Sequence, residues 1–179
     1  MEFLNYEFFG NSITNYIYFL TSFLVGLLFI IPFRLVISKL LFRLFGKDNS
    51  ENDNKKFNSL LKKPLQYFLT LLVLYFSVQF ISLPDFLNST EEGALNLAKY
   101  FDKGFNFFLL VTIFWTINRS IDFLGYKLKN KALETESKVD DQLIPFAIDI
   151  AKVLTIVIGV VMILGNVFDV NVTALVTGL

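Results

Sequence analysis

Long stretches of the chain contain no charged residue, and they predict where it crosses a membrane. These charge-free windows cover residues 8–33, 64–84, 104–118 and 153–168. A bilayer core of roughly 30 Å needs about 20 helical residues at about 1.5 Å each. The first two windows reach that length alone, whereas the other two reach it only by including charged residues near one end. Buried helices of a soluble domain are the alternative for these two shorter windows.

Inside the windows, apolar residues run together instead of alternating with polar ones, as in FLTLLVLYF at 68–76. Strands of a membrane barrel would alternate, so the pattern favours helices. We therefore predict an all-α integral membrane protein with four transmembrane helices and the start of a fifth. The predicted spans are 13–33, 64–83, 104–124 and 144–165, and the fifth helix begins at 172–179.

Prolines indicate the expected helix ends. Pro64 and Pro145 suit the first turn of a helix, where a missing N–H costs nothing. Pro84 would end the second span, and Pro32 would kink the first span near its end. We expect loops at 34–63 and 125–143 and a short outer turn at 166–171.

Basic residues predict the orientation. Eight of the 16 Lys and Arg residues lie within 34–63, and five lie from Arg119 to Lys138. Two lie between the second and third spans, and none lies in residues 1–15. By the positive-inside rule, loops 34–63 and 125–143 are expected in the cytoplasm and the N-terminus outside, in a multi-pass protein of the cell (inner) membrane.

Four basic residues after the first span are candidates for contact with lipid headgroups: Arg34, Lys39, Arg43 and Lys47. The last three recur every fourth residue, so a helical extension would place them on one face. Anionic lipids attract such a face by about 1 kcal/mol per basic residue. Ordinary anchoring of a cytoplasmic helix end explains the same pattern. The mixed-charge segment 47–56 is expected to be a solvated loop.

Charged residues inside predicted spans are candidates for function. Arg119 and Asp122 lie three residues apart in the third span, and Asp149 and Lys152 have the same spacing in the fourth. Such spacing permits pairing along one helix face. Pairing between the third and fourth helices is the interpretation favoured over an ion or proton pathway, because no carboxylate lies at the middle of a span.

Composition removes several function classes. The 179 residues are 54% apolar and 18% charged, with no net charge, no His and no Cys. Imidazole and thiolate metal sites, Cys nucleophiles and Ser-His triads are excluded, so we expect no enzyme and no cofactor. Zero net charge also removes the case for nonspecific nucleic-acid binding.

Two segments near the C-terminal end are similar to a known family. They are VDDQLIP at 139–145, before an apolar helix, and ILGNVFDVNVTALVTGL at 163–179. Together they resemble the small-conductance mechanosensitive channel (MscS) family over residues 139–179. In that family, an Asp-rich cytoplasmic start leads into the helix before the pore, and a short outer turn then opens the pore helix. Residues 1–138 match no motif of the family, whose members carry variable additional helices upstream of this segment.

The resemblance implies a homo-oligomeric, typically heptameric, channel that releases ions and small osmolytes on osmotic downshock. It implies that the chain is the tension-sensing part of a longer protein, whose pore helix and cytoplasmic domain continue after Leu179. A small multi-spanning membrane protein with a partner or assembly role and no pore is the alternative, and a transporter fragment is a third hypothesis. Residues expected at the start of the pore helix are Asn171, Thr173, Ala174, Thr177 and Gly178, and Asn171 and Thr173 are expected to cap it.

Overall fold

The computed structural model describes residues 6–45, 51–82, 97–132 and 140–178, and 88% of these residues are helical. The all-helical class predicted from the charge-free windows is therefore confirmed, with a small two-stranded addition. The strands are β1 (Glu7–Phe8) and β2 (Asn11–Ser12), and the helices are α1 (Ile13–Phe45), α2 (Glu51–Val78), α3 (Leu97–Ala132), α4 (Asp140–Asn166) and α5 (Val172–Thr177).

Three helices are long and apolar enough to cross a membrane, within Ile13–Arg43, Ala98–Ala132 and Leu143–Asn166. The second predicted span does not reach this standard. Helix α2 ends at Val78, five residues before the predicted end at 83. Its charge-free part begins at Pro64 and is therefore only about 22 Å long at about 1.5 Å per residue.

The predicted loops are largely helical, which corrects the sequence interpretation. Helix α1 continues to Phe45, and α2 already begins at Glu51, so most of 34–63 and the 51–56 part of the predicted solvated loop are helix. Acidic residues in the first turn of α2 suit the positive end of the helix dipole. Phe57 and Leu61, one turn apart, are both buried and provide the packing that holds this extension. The second predicted loop, 125–143, is helical as far as Ala132 and again from Asp140.

The two prolines expected at helix starts lie inside helices instead. Pro64 falls in the middle of α2 and Pro145 lies in the second turn of α4. A proline inside a helix removes one backbone hydrogen bond, which makes it costly there. Pro64 is fully buried beside Leu61 and Leu65, so packing of this segment offsets the lost bond.

The four long helices form a row in chain order, and each runs antiparallel to the one before it. Each helix packs against its neighbours in the chain, and α1 shares no extensive contact with α4 in the described ranges. One end of the row holds the two strands and is called the hairpin end. The opposite end is called the core end. Facing pairs that establish the directions are Ser22 with Ser77, Tyr75 with Phe105, Phe57 with Phe123, and Phe114 with Gly159.

A compact aromatic core lies at the core end, between α1, α2 and α3. The ring centroids of Phe57 and Phe123 lie 4.9 Å apart, edge to face, and Phe42 lies 5.4 Å from Phe57. Beside this cluster, Lys127 Nζ lies 3.6 Å from Asp53 Oδ2, and both side chains are largely buried. This packing keeps α1, α2 and α3 together beyond the apolar windows.

Away from that core, the row exposes its apolar side chains. Only 6% of the apolar window is buried in α1, and the same holds for α4. Soluble monomers rarely expose apolar surface of this extent to water. Helices that are apolar all round require lipid or other protein around them.

The short hairpin was not predicted from the sequence. Phe9 and Gly10 link the strands with φ angles of 49° and 74°, as the tight turn of a two-residue hairpin requires. The fully buried amide of Asn11 accepts from Ser82 N–H at 2.7 Å and donates to Ser82 O at 2.7 Å. The hairpin therefore holds the chain just after α2 against the start of α1.

Candidate functional site

The candidate pairing residues and the residues expected at the start of the fifth helix lie in one unit, made of α3, α4, the turn that leads into α5, and α5 itself. We call it the α3–α4 unit. It is joined by charged side chains at both ends and by close helix contact between them.

A three-residue charge cluster joins the helices toward the core end. Asp122 of α3 accepts from Arg119 Nη1 at 2.9 Å and forms an ion pair with Lys152 of α4. The acid thus contacts two bases, and all three side chains are partly shielded from solvent. Such a cluster fixes the register of two helices and carries one excess positive charge.

The fourth residue of the predicted set does not join this cluster. Asp149 is exposed, and within the part of the chain that the structure describes it makes no ion pair. Its spacing from Lys152 permitted a pair along α4, but Lys152 faces Asp122 across the helix interface instead. The ion pair between Lys152 and Asp122 is more shielded from solvent than a pair with the exposed Asp149 would be.

Two glycines of the unit, Gly159 between the charged contacts and Gly125 beyond Asp122 toward the core end, allow the helices to approach closely. A β-carbon built at Gly159 of α4 would lie 2.9 Å from Phe114 Cγ of α3. One built at Gly125 of α3 would lie 3.1 Å from Ile148 Cγ1 of α4. Small residues at helix contacts permit this spacing, and close packing is what holds helices together in lipid.

A second ion pair joins the helices at the hairpin end. Lys103 Nζ of α3 lies 2.6 Å from Asp169 Oδ2, in the turn between α4 and α5. Hydrogen bonding to Lys103 and its positive charge, with a further contribution from Lys99, lower the pKa of the Asp169 carboxyl below its usual value. Asp169 also has a φ of 55°, an unusual backbone conformation for a residue other than glycine. This pair was missed in the sequence, where its members lie 66 residues apart.

Helix α5 starts where the fifth helix was predicted to start. Asn171 caps it by accepting the Ala174 N–H at 3.0 Å, so the capping role expected of Asn171 is confirmed. Thr173, also expected to cap, instead supplies the carbonyl that accepts from Thr177 Oγ1 at 2.8 Å. Gly178 ends the described helix by donating its N–H to Ala174 O. Apart from Val172, the described side chains of α5 are exposed.

The candidate lipid-contact residues lie apart from this unit, on α1. Lys39 and Arg43 are exposed, and Arg34 is half-buried with a 3.3 Å hydrogen bond to Gln66 of α2. Lys47 lies outside the described residues. Among the residues that the structure describes, no group of acidic side chains could hold a metal ion.

Comparison with protein-family models, with curated proteins and with solved structures finds no match for this chain.

Proposed function

We propose that this chain is the tension-sensing, membrane-embedded part of a mechanosensitive channel, with four crossings followed by a pore-forming fifth helix that begins at α5. The observation that carries the proposal is the open row of helices. Each of the four long helices exposes apolar side chains, so lipid can contact each of them. The ion pair of Lys103 with Asp169 ties α3, the third helix of the row, to the turn that leads from α4 into α5.

The physics of tension sensing requires only this arrangement. A state that occupies more bilayer area gains free energy in proportion to tension, and the equilibrium shifts only as far as that difference allows. Moving a two-state protein from 1:99 to 99:1 needs about 5.5 kcal/mol. Lipid-facing helices collect this energy, and the α3–α4 unit would transmit it because both of its ends are ion-paired.

Helix α2 is proposed as the fourth crossing despite its short apolar part. It lies between α1 and α3 and runs antiparallel to both. Tyr75 of α2 stacks on Phe105, which follows the start of the third charge-free window, at 4.7 Å between ring centroids. If α1 and α3 cross the bilayer, α2 must lie at the same depth.

Cysteine labelling tests the number of crossings, because the chain has no native Cys. Four exposed positions suit this test: Asn52 lies after α1, Tyr100 after α2, Lys131 at the C-terminal end of α3, and Phe168 after α4. With four crossings, Asn52→Cys and Lys131→Cys label from one side and Tyr100→Cys and Phe168→Cys from the other. If α2 does not cross, Asn52→Cys and Tyr100→Cys label from the same side, which would refute the four-crossing arrangement.

Patch-clamp recording tests the channel function itself. The full-length protein, expressed in cells that lack their own mechanosensitive channels, is expected to open in steps as suction on the patch increases. The same cells are expected to survive an osmotic downshock that kills the parent cells. A protein that inserts with four crossings yet conducts nothing under tension would instead support the partner or assembly role.

A further inference from the structure

A pocket of about 170 Å³ lies between α1 and α2, close to the core end of their apolar windows. The volume is enough for several water molecules and therefore for a small polar group. Four of its residues are polar or positively charged, two are leucines, and none is acidic. The lining residues are Arg34, Leu35, Ser38, Asn58, Lys62 and Leu65.

The polar lining of this pocket offers hydrogen-bond donors. Ser38 Oγ donates to Asn58 Oδ1 at 3.0 Å, which occupies the amide oxygen and leaves the amide NH₂ group to donate. Arg34 Nη1 donates to Gln66 Oε1 at 3.3 Å, and the other N–H groups of the guanidinium remain available as donors. Lys62 makes no ion pair within the described part of the chain. Two cations and an amide facing one cavity select a ligand that is anionic and rich in acceptors.

The position of the pocket along the chain indicates where that anion comes from. Arg34 is the first charged residue after the 8–33 window, and Lys62 and Lys63 are the last two charged residues before the 64–84 window. In the proposed membrane placement, Arg34 and Lys62 therefore lie at the depth of the lipid headgroups. Leu35 and Leu65 complete the wall with apolar surface, which suits a ligand with an attached chain.

We propose that this pocket binds the phosphate group of an anionic phospholipid, with Arg34 and Lys62 as the charged contacts and Asn58 as a neutral donor. The proposal rests on the membrane placement given above but not on conduction. A phosphodiester offers only acceptors to these donors, and a guanidinium can hold two of its oxygens at once. The same chemistry would accept inorganic phosphate, so the test separates the two sources.

The test is a lipid titration of the full chain in neutral detergent, with bound lipid counted by native mass spectrometry. Phosphatidylglycerol is compared with phosphatidylcholine, which carries the same phosphate with a neutralising choline. Arg34→Gln/Lys62→Gln removes both pocket cations. Lys63→Gln/Lys129→Gln is the matched control, because it also removes two positive charges toward the core end of the row, both of them exposed, but neither residue lines the pocket.

We expect the wild type to prefer phosphatidylglycerol and the pocket variant to bind it roughly 10- to 30-fold more weakly, since each direct contact with the phosphate contributes about a factor of five. The control should stay within about threefold of wild type, because it removes charge but no direct contact with the bound phosphate. Lys62→Gln alone changes an exposed side chain, so it keeps the fold and is expected to weaken binding about fivefold. Equal losses in both double variants, or no lipid preference in the wild type, would overturn the proposal.

A second arm adds millimolar inorganic phosphate to the wild type. Displacement of phosphatidylglycerol would assign the site to the phosphate group itself, and retention would assign it to the intact lipid. Because binding is measured in detergent, a protein without tension-gated current would lose the channel function and keep this site. A lost lipid preference in a protein that conducts under tension would remove the site and keep the channel.

Discussion

Replacing Gly159 with alanine tests the close contact between α3 and α4, on which the α3–α4 unit depends. Gly159 is buried, and its β-carbon would lie 2.9 Å from Phe114 Cγ, closer than side chains normally pack. Gly104 of α3 is the matched control, because a β-carbon there meets nothing within 4 Å. Both glycines lie inside helices, so both substitutions gain the same helix preference.

The expected free energies follow from these two environments. Glycine to alanine inside a helix stabilises by about 0.5–1 kcal/mol, chiefly by restricting the unfolded chain. Overpacking a close contact costs about 1–3 kcal/mol. Gly104→Ala should therefore be more stable than wild type, and Gly159→Ala should fall about 1–3 kcal/mol below Gly104→Ala.

The assay is unfolding of each variant in detergent by a denaturing surfactant, followed by circular dichroism and by the fluorescence of Trp115. This residue is the only tryptophan, and it stacks on Tyr67 of α2 at 5.8 Å between ring centroids. Its emission therefore reports helix packing separately from helix content. If Gly159→Ala proves as stable as Gly104→Ala, α3 and α4 are not packed as closely as described and the reasoning fails.

Three further predictions address other parts of the fold. Phe123→Ala should destabilise by about 3–5 kcal/mol in the same assay, because the ring is fully buried in the aromatic core, whereas Phe76→Ala, at an exposed ring, should change stability by less than about 0.5 kcal/mol. Asp122→Asn should destabilise by about 1–2 kcal/mol by leaving two bases without their acid, and adding Lys152→Met should restore part of the loss; no recovery in the double variant would contradict the interhelical pair. The lowered pKa of Asp169 stabilises the folded protein at pH values above 3.8, the ordinary pKa of an Asp carboxyl, and this stabilisation is lost as the pH falls toward the lowered pKa. The thermal midpoint of the wild type should therefore drop over this acidic range, whereas that of Asp169→Asn should not.

The parts of the fold that could be predicted are those that depend on local composition. Helices α1, α3 and α4 follow from runs of apolar residues, because a membrane-length helix needs nothing else to be recognised. The cap at Asn171 was equally local, since an Asn side chain reaches a backbone N–H three residues on. Each of these features is determined by residues that lie within it or within a few positions of it in the sequence.

The parts that could not be predicted depend on residues that are distant in sequence. The extension of α2 to Glu51 needs Phe57 to pack on Phe42 and Phe123, and a polar segment gives no sign of this partner. Phe9 adopts a positive φ only because the Asn11 amide and Ser82 hold the hairpin in place. Lys103 and Asp169 become neighbours only when α3 and α4 lie antiparallel with one particular register.

That register is constant along each pair of helices, which allows positions to be compared across the whole row. A step of one residue toward the core end on one helix is therefore matched by a step of one residue toward the core end on the neighbouring helix. On α3 and α4, for example, Phe114 faces Gly159 and Asp122 faces Lys152 at nearly the same offset. Contacts that establish the register of α1 with α2 and of α2 with α3 are Ser22 with Ser77, Gly26 with Val73, Tyr75 with Phe105, and Phe57 with Phe123.

In this register, the charges that border the apolar zone lie on a sloping line: Arg34 on α1, Lys63 on α2, Arg119 on α3 and Lys152 on α4. Each lies about two residues, or about 3 Å, nearer the core end than the one before it. With helix axes about 8–10 Å apart, the border slopes by about 20°, the average tilt of membrane helices. Lys63 lies on this line with its neighbours, which supports the proposed crossing of α2. A thinner bilayer favours a larger tilt of helices of fixed length. Tension thins the bilayer, so the tilt of the whole row is the coordinate through which the proposed sensor would respond.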